Sequence, residues 1–121
     1  MKRRQVLIAD DFPQTRDGLQ ALLSTYPEIK VVAEAADGRE AVQLVGAVQP
    51  DVVLMDLHMP NMDGLDATQI IKTSWPETKV IVLTINAGYQ TEAFAAGADA
   101  FIVKGPSTKK LLEAITTTRF H

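Results

Sequence analysis

Five short apolar runs, separated by segments with helical spacing, constrain the fold of this chain more than any other sequence feature. The runs are rich in Val and Ile, and most of them do not alternate with polar residues. Runs of this kind are typical of strands that are covered on both faces, as in a parallel sheet. They are VLIA (6–9), VVAEA (31–35), VVLM (52–55), VIVLT (80–84) and AFIV (100–103).

Apolar residues at spacings of three and four predict a helix after each run. Asp37 followed by Glu40 is a capping box for the second helix, and Ser107 is positioned to cap the fifth. The expected helices lie around residues 19–23, over 39–48, from Asp63 onward, over 90–96 and after Gly105.

The order is therefore strand then helix, repeated five times, which favours an open parallel sheet with helices on both faces. Because connections between parallel strands are almost always right-handed, only a few topologies remain. The first turn, DDFPQT, has no glycine fingerprint, and the P-loop pattern is absent, so a dinucleotide or P-loop fold is disfavoured. We predict an α/β doubly wound sheet of the flavodoxin-like (βα)5 type with strand order 2-1-3-4-5.

Composition narrows the function classes. A length of 121 residues indicates one domain. The absence of cysteine excludes disulfides, zinc–thiolate sites and thiol nucleophiles, and no apolar run approaches the length of a membrane span. The net charge of −3 does not favour nucleic-acid binding by this domain. We expect a cytoplasmic protein that does not contact a membrane.

Polar residues of types that bind ions or take part in reactions follow four of the five strands. In open α/β sheets, ligands bind beyond the carboxyl ends of the strands. Each residue alone has an ordinary explanation as a turn, strand or surface residue, but the four strands would be contiguous in the predicted order. One shared site therefore explains the set better than separate coincidences. The residues are Asp10 and Asp11 after strand one, Asp56 after strand three, Thr84 at the end of strand four and Lys104 after strand five.

Three carboxylates at one point repel one another unless a cation lies among them. Oxygen ligands select a hard ion, and few protein ligands with several waters suit Mg²⁺. A carboxylate in such a site can also attack phosphorus and form an aspartyl phosphate. A lysine adds fixed positive charge, and the hydroxyl of Thr84 can hydrogen-bond a phosphoryl oxygen.

The stretches LIADD, VVLMDLHMPNMDG, VIVLT and GADAFIVK resemble the response-regulator receiver domain, the CheY-like family, over nearly the whole chain. DGREAVQLV and GADAFIVKG most resemble receivers of NarL/FixJ-type (LuxR-type) transcription factors. The resemblance implies one receiver domain over residues 1–121, with no output domain in this chain. It also implies either a stand-alone receiver or, as we favour, a fragment of a longer regulator.

The resemblance implies a role for each acidic position. Asp56 would be the phosphoacceptor. Asp11 and Asp56 would ligate Mg²⁺ directly, and His58 would do so through its backbone carbonyl while its side chain faces solvent. Asp10 would hold a metal-bound water.

The resemblance also implies how a signal enters and leaves. Thr84 and Lys104 would bind the phosphoryl group, and Phe101 matches the switch aromatic, although an ordinary core aromatic would look the same in sequence. A phosphohistidine on a sensor histidine kinase would be the donor, and phosphorylation would allow a homodimer to form. DNA would be contacted only through an output domain. The receiver would catalyse only its own phosphorylation and dephosphorylation.

Three positions depart from the usual pattern of the family. Ile85 follows Thr84 where a small residue is usual, and its bulk is expected to narrow access to the phosphoryl group. Gly105 follows Lys104 in place of proline, which makes a cis bond there costly. Phe12 stands where relatives with DNA-binding output often have histidine, a change that we expect to be mild.

Two other functions stand as alternatives. Haloacid-dehalogenase-type phosphotransferases also use Asp and Mg²⁺, but they need a second Asp two residues after the nucleophile, where this chain has His58. A phosphorylation-independent interaction module would have a degenerate site. The full acidic set argues against it, but Ile85 keeps this alternative open.

Overall fold

Five parallel strands form one sheet in the order β2-β1-β3-β4-β5, as predicted. The computed structural model describes residues 3–105 and 108–117. The strands are β1 (Arg4–Ala9), β2 (Ile29–Ala35), β3 (Val52–Met55), β4 (Lys79–Thr84) and β5 (Ala100–Val103). The helices are α1 (Pro13–Leu23), α2 (Gly38–Val48), α3 (Gly64–Ser74), α4 (Gln90–Ala95, after a 3₁₀ turn at Ala87–Tyr89) and α5 (Lys109–Thr117).

All five apolar runs lie in strands, and two of the strands match their runs residue for residue. The other three strands, β1, β2 and β4, begin before their apolar runs. The reason is backbone pairing, since Arg4 already pairs with Ile29 in parallel register. Backbone pairing therefore extends these strands beyond their apolar runs.

The sheet is covered on both faces, which explains why its central strands lack polar alternation. Successive side chains of a strand point to opposite faces. Leu7, Val53 and Val82 thus belong to one buried cluster, which includes residues of α2, α3 and α4. Ile8 and Leu54 belong to the other cluster, which includes residues of α1 and α5.

Side-chain caps begin two of the helices, and the cap of α2 is the one that the sequence predicts. Asp37 Oδ1 accepts the Glu40 N–H at 2.7 Å, and Asp63 Oδ1 accepts the Asp66 N–H at 2.9 Å. The Glu40 carboxylate completes its capping box one residue earlier than usual, by accepting the Ala36 N–H at 2.7 Å. The predicted cap Ser107 lies outside the described residues. Within the described chain, no helix is both long and apolar enough to cross a membrane.

Candidate functional site

The predicted site residues lie at the carboxyl edge of the sheet, where the strand ladder continues one residue beyond the strands. The Asp10 N–H donates to the Ala35 carbonyl, and the Asp56 N–H donates to the Ala9 carbonyl, each at 3.0 Å. On the other side of β3, the Lys104 N–H donates to the Thr84 carbonyl at 2.7 Å. The parallel register therefore brings side chains that are far apart in sequence to one edge.

Three carboxylates form an acidic cluster there. Asp10, Asp11 and Asp56 each offer an oxygen, and these oxygens all lie within 4.8 Å of one another. The side chains are largely sheltered, since Asp10 is 2% exposed, Asp56 is 8% exposed and Asp11 is half-buried. Asp11 Oδ1 is buried and has no hydrogen-bond partner among the residues that the structure describes. A buried carboxylate oxygen that no described residue contacts, on one of three clustered acids, fits a hard cation such as Mg²⁺.

Lys104 supplies the positive charge of the cluster. Its Nζ lies 2.7 Å from Asp10 Oδ2 and 3.8 Å from Asp56 Oδ1. The closer pair is a charge-assisted hydrogen bond, and the longer one is an electrostatic contact. The Lys104–Gly105 peptide bond is trans, like the other peptide bonds of the described chain.

The surroundings of Asp56 raise the pKa of its carboxyl above the ordinary value. Burial is the main cause, because it disfavours the charged form. Lys104 opposes this increase in pKa, whereas the neighbouring charges of Asp10 and Asp11 add to it. Without a metal ion in the site, the charged form of the Asp56 carboxyl is therefore disfavoured.

The remaining predicted residues lie around this cluster. Thr84 is fully buried, and its hydroxyl oxygen accepts the Asn86 N–H at 3.3 Å. Phe101 is partly buried against the core cluster that includes α2, α3 and α4. The His58 side chain is exposed, as expected, and its ring makes an edge contact with Tyr89 at a centroid distance of 5.3 Å. The structure therefore brings together the three acids and Lys104, while Phe101 and the His58 ring lie outside that cluster.

Sequence reasoning missed Arg16 and Glu34. The Arg16 guanidinium donates to the Asp10 carbonyl and to the Glu34 carboxylate. The two residues are far apart in sequence and meet only because β2 lies beside β1. No local motif signals such a contact.

Gly64 begins α3 directly against the backbone of the acidic cluster. A Cβ atom at Gly64 would lie 2.1 Å from the Asp56 carbonyl oxygen and 2.8 Å from the Leu57 Cα. Both obstacles are backbone atoms, so the loop after Asp56 would have to move. Glycine at this position therefore lets α3 pack close to the predicted phosphoacceptor.

We expect Gly64→Ala to lower the free energy of unfolding by about 1–3 kcal/mol, as overpacking does. Gly18→Ala is the matched control, because a Cβ at Gly18 meets nothing within 4 Å and the position is inside α1. That control should raise the free energy by up to about 1 kcal/mol through helix propensity. Urea denaturation of the two variants measures both effects, and equal stabilities would contradict the close approach.

Comparisons with known proteins identify the family of this chain. The family described as the response regulator receiver domain matches residues 6–116. The chain is 40% identical over 116 residues to the response regulator VraR of Staphylococcus aureus, which covers 94% of this chain and 56% of VraR. The chain spans about half the length of the curated relatives it matches.

Solved structures give the same assignment. A LuxR-family two-component response regulator from Aurantimonas is 33% identical with a TM-score of 0.90, covering 96% of this chain and 84% of that one. TrrA from Thermotoga maritima, solved in complex with Mg²⁺–BeF, is 27% identical with a TM-score of 0.87, covering 97% and 98%. The chain therefore belongs to the response regulator receiver domain family.

Proposed function

We propose that this domain is the phosphorylation-activated receiver of a two-component regulator. It accepts a phosphoryl group from a sensor histidine kinase on Asp56, with Mg²⁺, and changes conformation to control an output. The observation that carries the proposal is the meeting of Asp10, Asp11 and Asp56 in one cluster, with Lys104 beside two of these acids. The domain acts in the cytoplasm and performs no chemistry beyond its own phosphorylation and dephosphorylation.

Asp56 is the proposed nucleophile. Its carboxylate oxygen forms a bond to phosphorus while the bond from phosphorus to the donor histidine nitrogen breaks, and the imidazole leaves with the electron pair. Asp11, Asp56 and the backbone carbonyl of His58 would hold Mg²⁺, with Asp10 completing the outer ligand set. When bound, this ion would neutralise charge on the transferring phosphoryl oxygens.

Lys104 and Thr84 are the proposed phosphoryl-binding groups. The Lys104 ammonium is already within 3.8 Å of Asp56 Oδ1, so a phosphoryl group on Asp56 would lie within its reach. The Thr84 hydroxyl accepts one hydrogen bond from the backbone, which leaves its own proton available to a phosphoryl oxygen. Movement of Thr84 toward the phosphoryl group would then be followed by inward rotation of Phe101.

The output is proposed from relatives. Curated relatives about twice as long as this chain, and solved LuxR-family regulators, support transcriptional control through a separate DNA-binding domain. Phosphorylation would favour one of two conformations, and homodimer formation is one way to transmit that preference. DNA binding would belong to the output domain, since this domain carries a net charge of −3.

Incubation with acetyl phosphate and Mg²⁺, followed by intact-mass measurement, tests the proposal. We expect one phosphoryl group per chain, and no adduct when EDTA replaces Mg²⁺. Continuous release of phosphate without a lasting adduct would identify a small-substrate phosphotransferase. The absence of any adduct would identify a phosphorylation-independent interaction module. Either of these two results would overturn the proposal.

Ile85 offers a test of access to the site. Its side chain follows Thr84 in the chain and is 77% exposed, so it lies at the rim of the site. We expect Ile85→Ala to speed phosphorylation by acetyl phosphate and hydrolysis of the adduct several-fold, with unchanged Mg²⁺ affinity. Phe94→Ala, which removes another exposed apolar side chain from α4, should change neither rate. Adduct formation followed over time by mass measures the effect, and identical rates for both variants would refute it.

A further inference from the structure

Arg16 links the acidic loop between β1 and α1 to the edge strand β2. Its Nη1 donates to the Asp10 carbonyl at 2.5 Å, and its Nε donates to Glu34 Oε1 at 3.2 Å. The guanidinium is planar and its donors have fixed directions, so the two contacts together determine its orientation. The Arg16 side chain is 17% exposed and that of Glu34 is 32% exposed, which shelters the pair partly from solvent.

With Arg16 in place, every polar group of Asp10 is occupied. Its N–H donates to the Ala35 carbonyl, Oδ1 accepts the Phe12 N–H at 2.9 Å, and Oδ2 pairs with Lys104. The next residue, Asp11, differs sharply, because its buried Oδ1 has no partner within the part of the chain that the structure describes. The direction of the Asp11 side chain is therefore set by its backbone rather than by contacts of that oxygen.

The Asp10 carbonyl belongs to the same planar peptide unit as the Asp11 nitrogen. A hydrogen bond that fixes this carbonyl fixes the rotation of the plane, and with it the direction in which the chain enters Asp11. We propose that Arg16 is a positioning residue for the metal ligand Asp11, and that Glu34 orients the Arg16 guanidinium. This inference rests on the proposed function, because it assigns Asp11 to Mg²⁺.

Two effects of Arg16 on Mg²⁺ have opposite signs, which makes the inference testable. As a cation close to the acidic loop, Arg16 repels a dication, so removing its charge alone would tighten Mg²⁺ binding. As a positioning residue, Arg16 holds a ligand in place, so removing it would weaken Mg²⁺ binding. If Arg16 only connected α1 to β2, its removal would lower the free energy of unfolding and leave the Mg²⁺ affinity unchanged.

The experiment is a titration of the protein with Mg²⁺ alone, without phosphodonor, followed by NMR of the backbone amides. We expect Arg16→Met to weaken Mg²⁺ binding about ten-fold, the scale measured when outer-shell partners of metal ligands are removed. Arg39→Met removes a guanidinium from the exposed start of α2, and screening should keep its Mg²⁺ affinity within about two-fold of wild type. Tighter or unchanged binding by Arg16→Met would overturn the inference.

A pair of substitutions at Glu34 keeps the test decisive if Arg16→Met folds poorly. Glu34→Gln retains an oxygen that can accept the Arg16 Nε–H, whereas Glu34→Ala retains none. We expect Glu34→Gln to bind Mg²⁺ like wild type and Glu34→Ala to bind it several-fold more weakly. Urea denaturation in EDTA should show that both variants are folded. Equal Mg²⁺ affinities for the two variants would overturn the role of Glu34. Failure of the wild type to bind Mg²⁺ would instead overturn the proposed function.

Discussion

Asp56→Asn is expected to abolish the phosphoryl adduct that acetyl phosphate and Mg²⁺ form on the wild type. The amide nitrogen and oxygen of Asn are poor nucleophiles, and the substitution keeps the size of the side chain, so the loss isolates the chemistry from packing. Asp17→Asn is the matched control, because Asp17 is exposed on α1 and is not one of the three clustered acids. Intact mass should show a full adduct on that control. An adduct of wild-type amount on Asp56→Asn would place the phosphoacceptor elsewhere.

The same substitution is expected to stabilise the protein without metal. Burial raises the pKa of Asp56 above its unfolded value of 3.8. Between the unfolded and the folded pKa, the folded state binds more protons than the unfolded state, so the stability contributed by this group falls as pH rises. Urea denaturation in EDTA should therefore show an advantage for Asp56→Asn that grows as pH rises above 3.8 and then levels off. An advantage confined to acidic pH would contradict this sign.

Asp11→Asn is expected to weaken Mg²⁺ binding by about ten-fold or more, since a direct ligand should matter at least as much as an outer-shell partner. Its stability in EDTA should not fall, because the substitution removes one of three crowded like charges. Mg²⁺ titration by NMR and urea denaturation measure the two quantities, with Asp17→Asn again as the control. A variant that unfolds readily would show that Asp11 is structural, and the assignment of this residue to the metal would then be wrong.

Much of the fold follows from local sequence. VVLM and AFIV coincide with β3 and β5, and their continuous apolar character reflects a sheet covered on both faces. Asp37 and Asp63 cap their helices because a side-chain oxygen can reach a backbone N–H three residues ahead. These are short-range effects, which a sequence pattern records directly.

For the candidate site, the sequence predicts which residues take part but not the contacts that they make. The parallel order places Asp10, Asp56 and Lys104 at one edge, because strands that alternate with helices end on the same side of a sheet. Asp11 Oδ1 has no hydrogen-bond partner in the described part of the chain, and Arg16 contacts the Asp10 carbonyl. Both features depend on side-chain directions in the folded chain. The close backbone approach at Gly64 likewise depends on how α3 packs. The glycine alone does not predict it, because many exposed turns also contain glycine.

The most direct test of the account is to locate the phosphoryl group by peptide mapping after reaction with acetyl phosphate, with Mg²⁺ and with EDTA. We predict a single modified residue, Asp56, and modification only when Mg²⁺ is present. Modification of a different residue, or equal modification of Asp56 in EDTA, would contradict the claim that the three acids and Lys104 form one metal-dependent phosphoacceptor site.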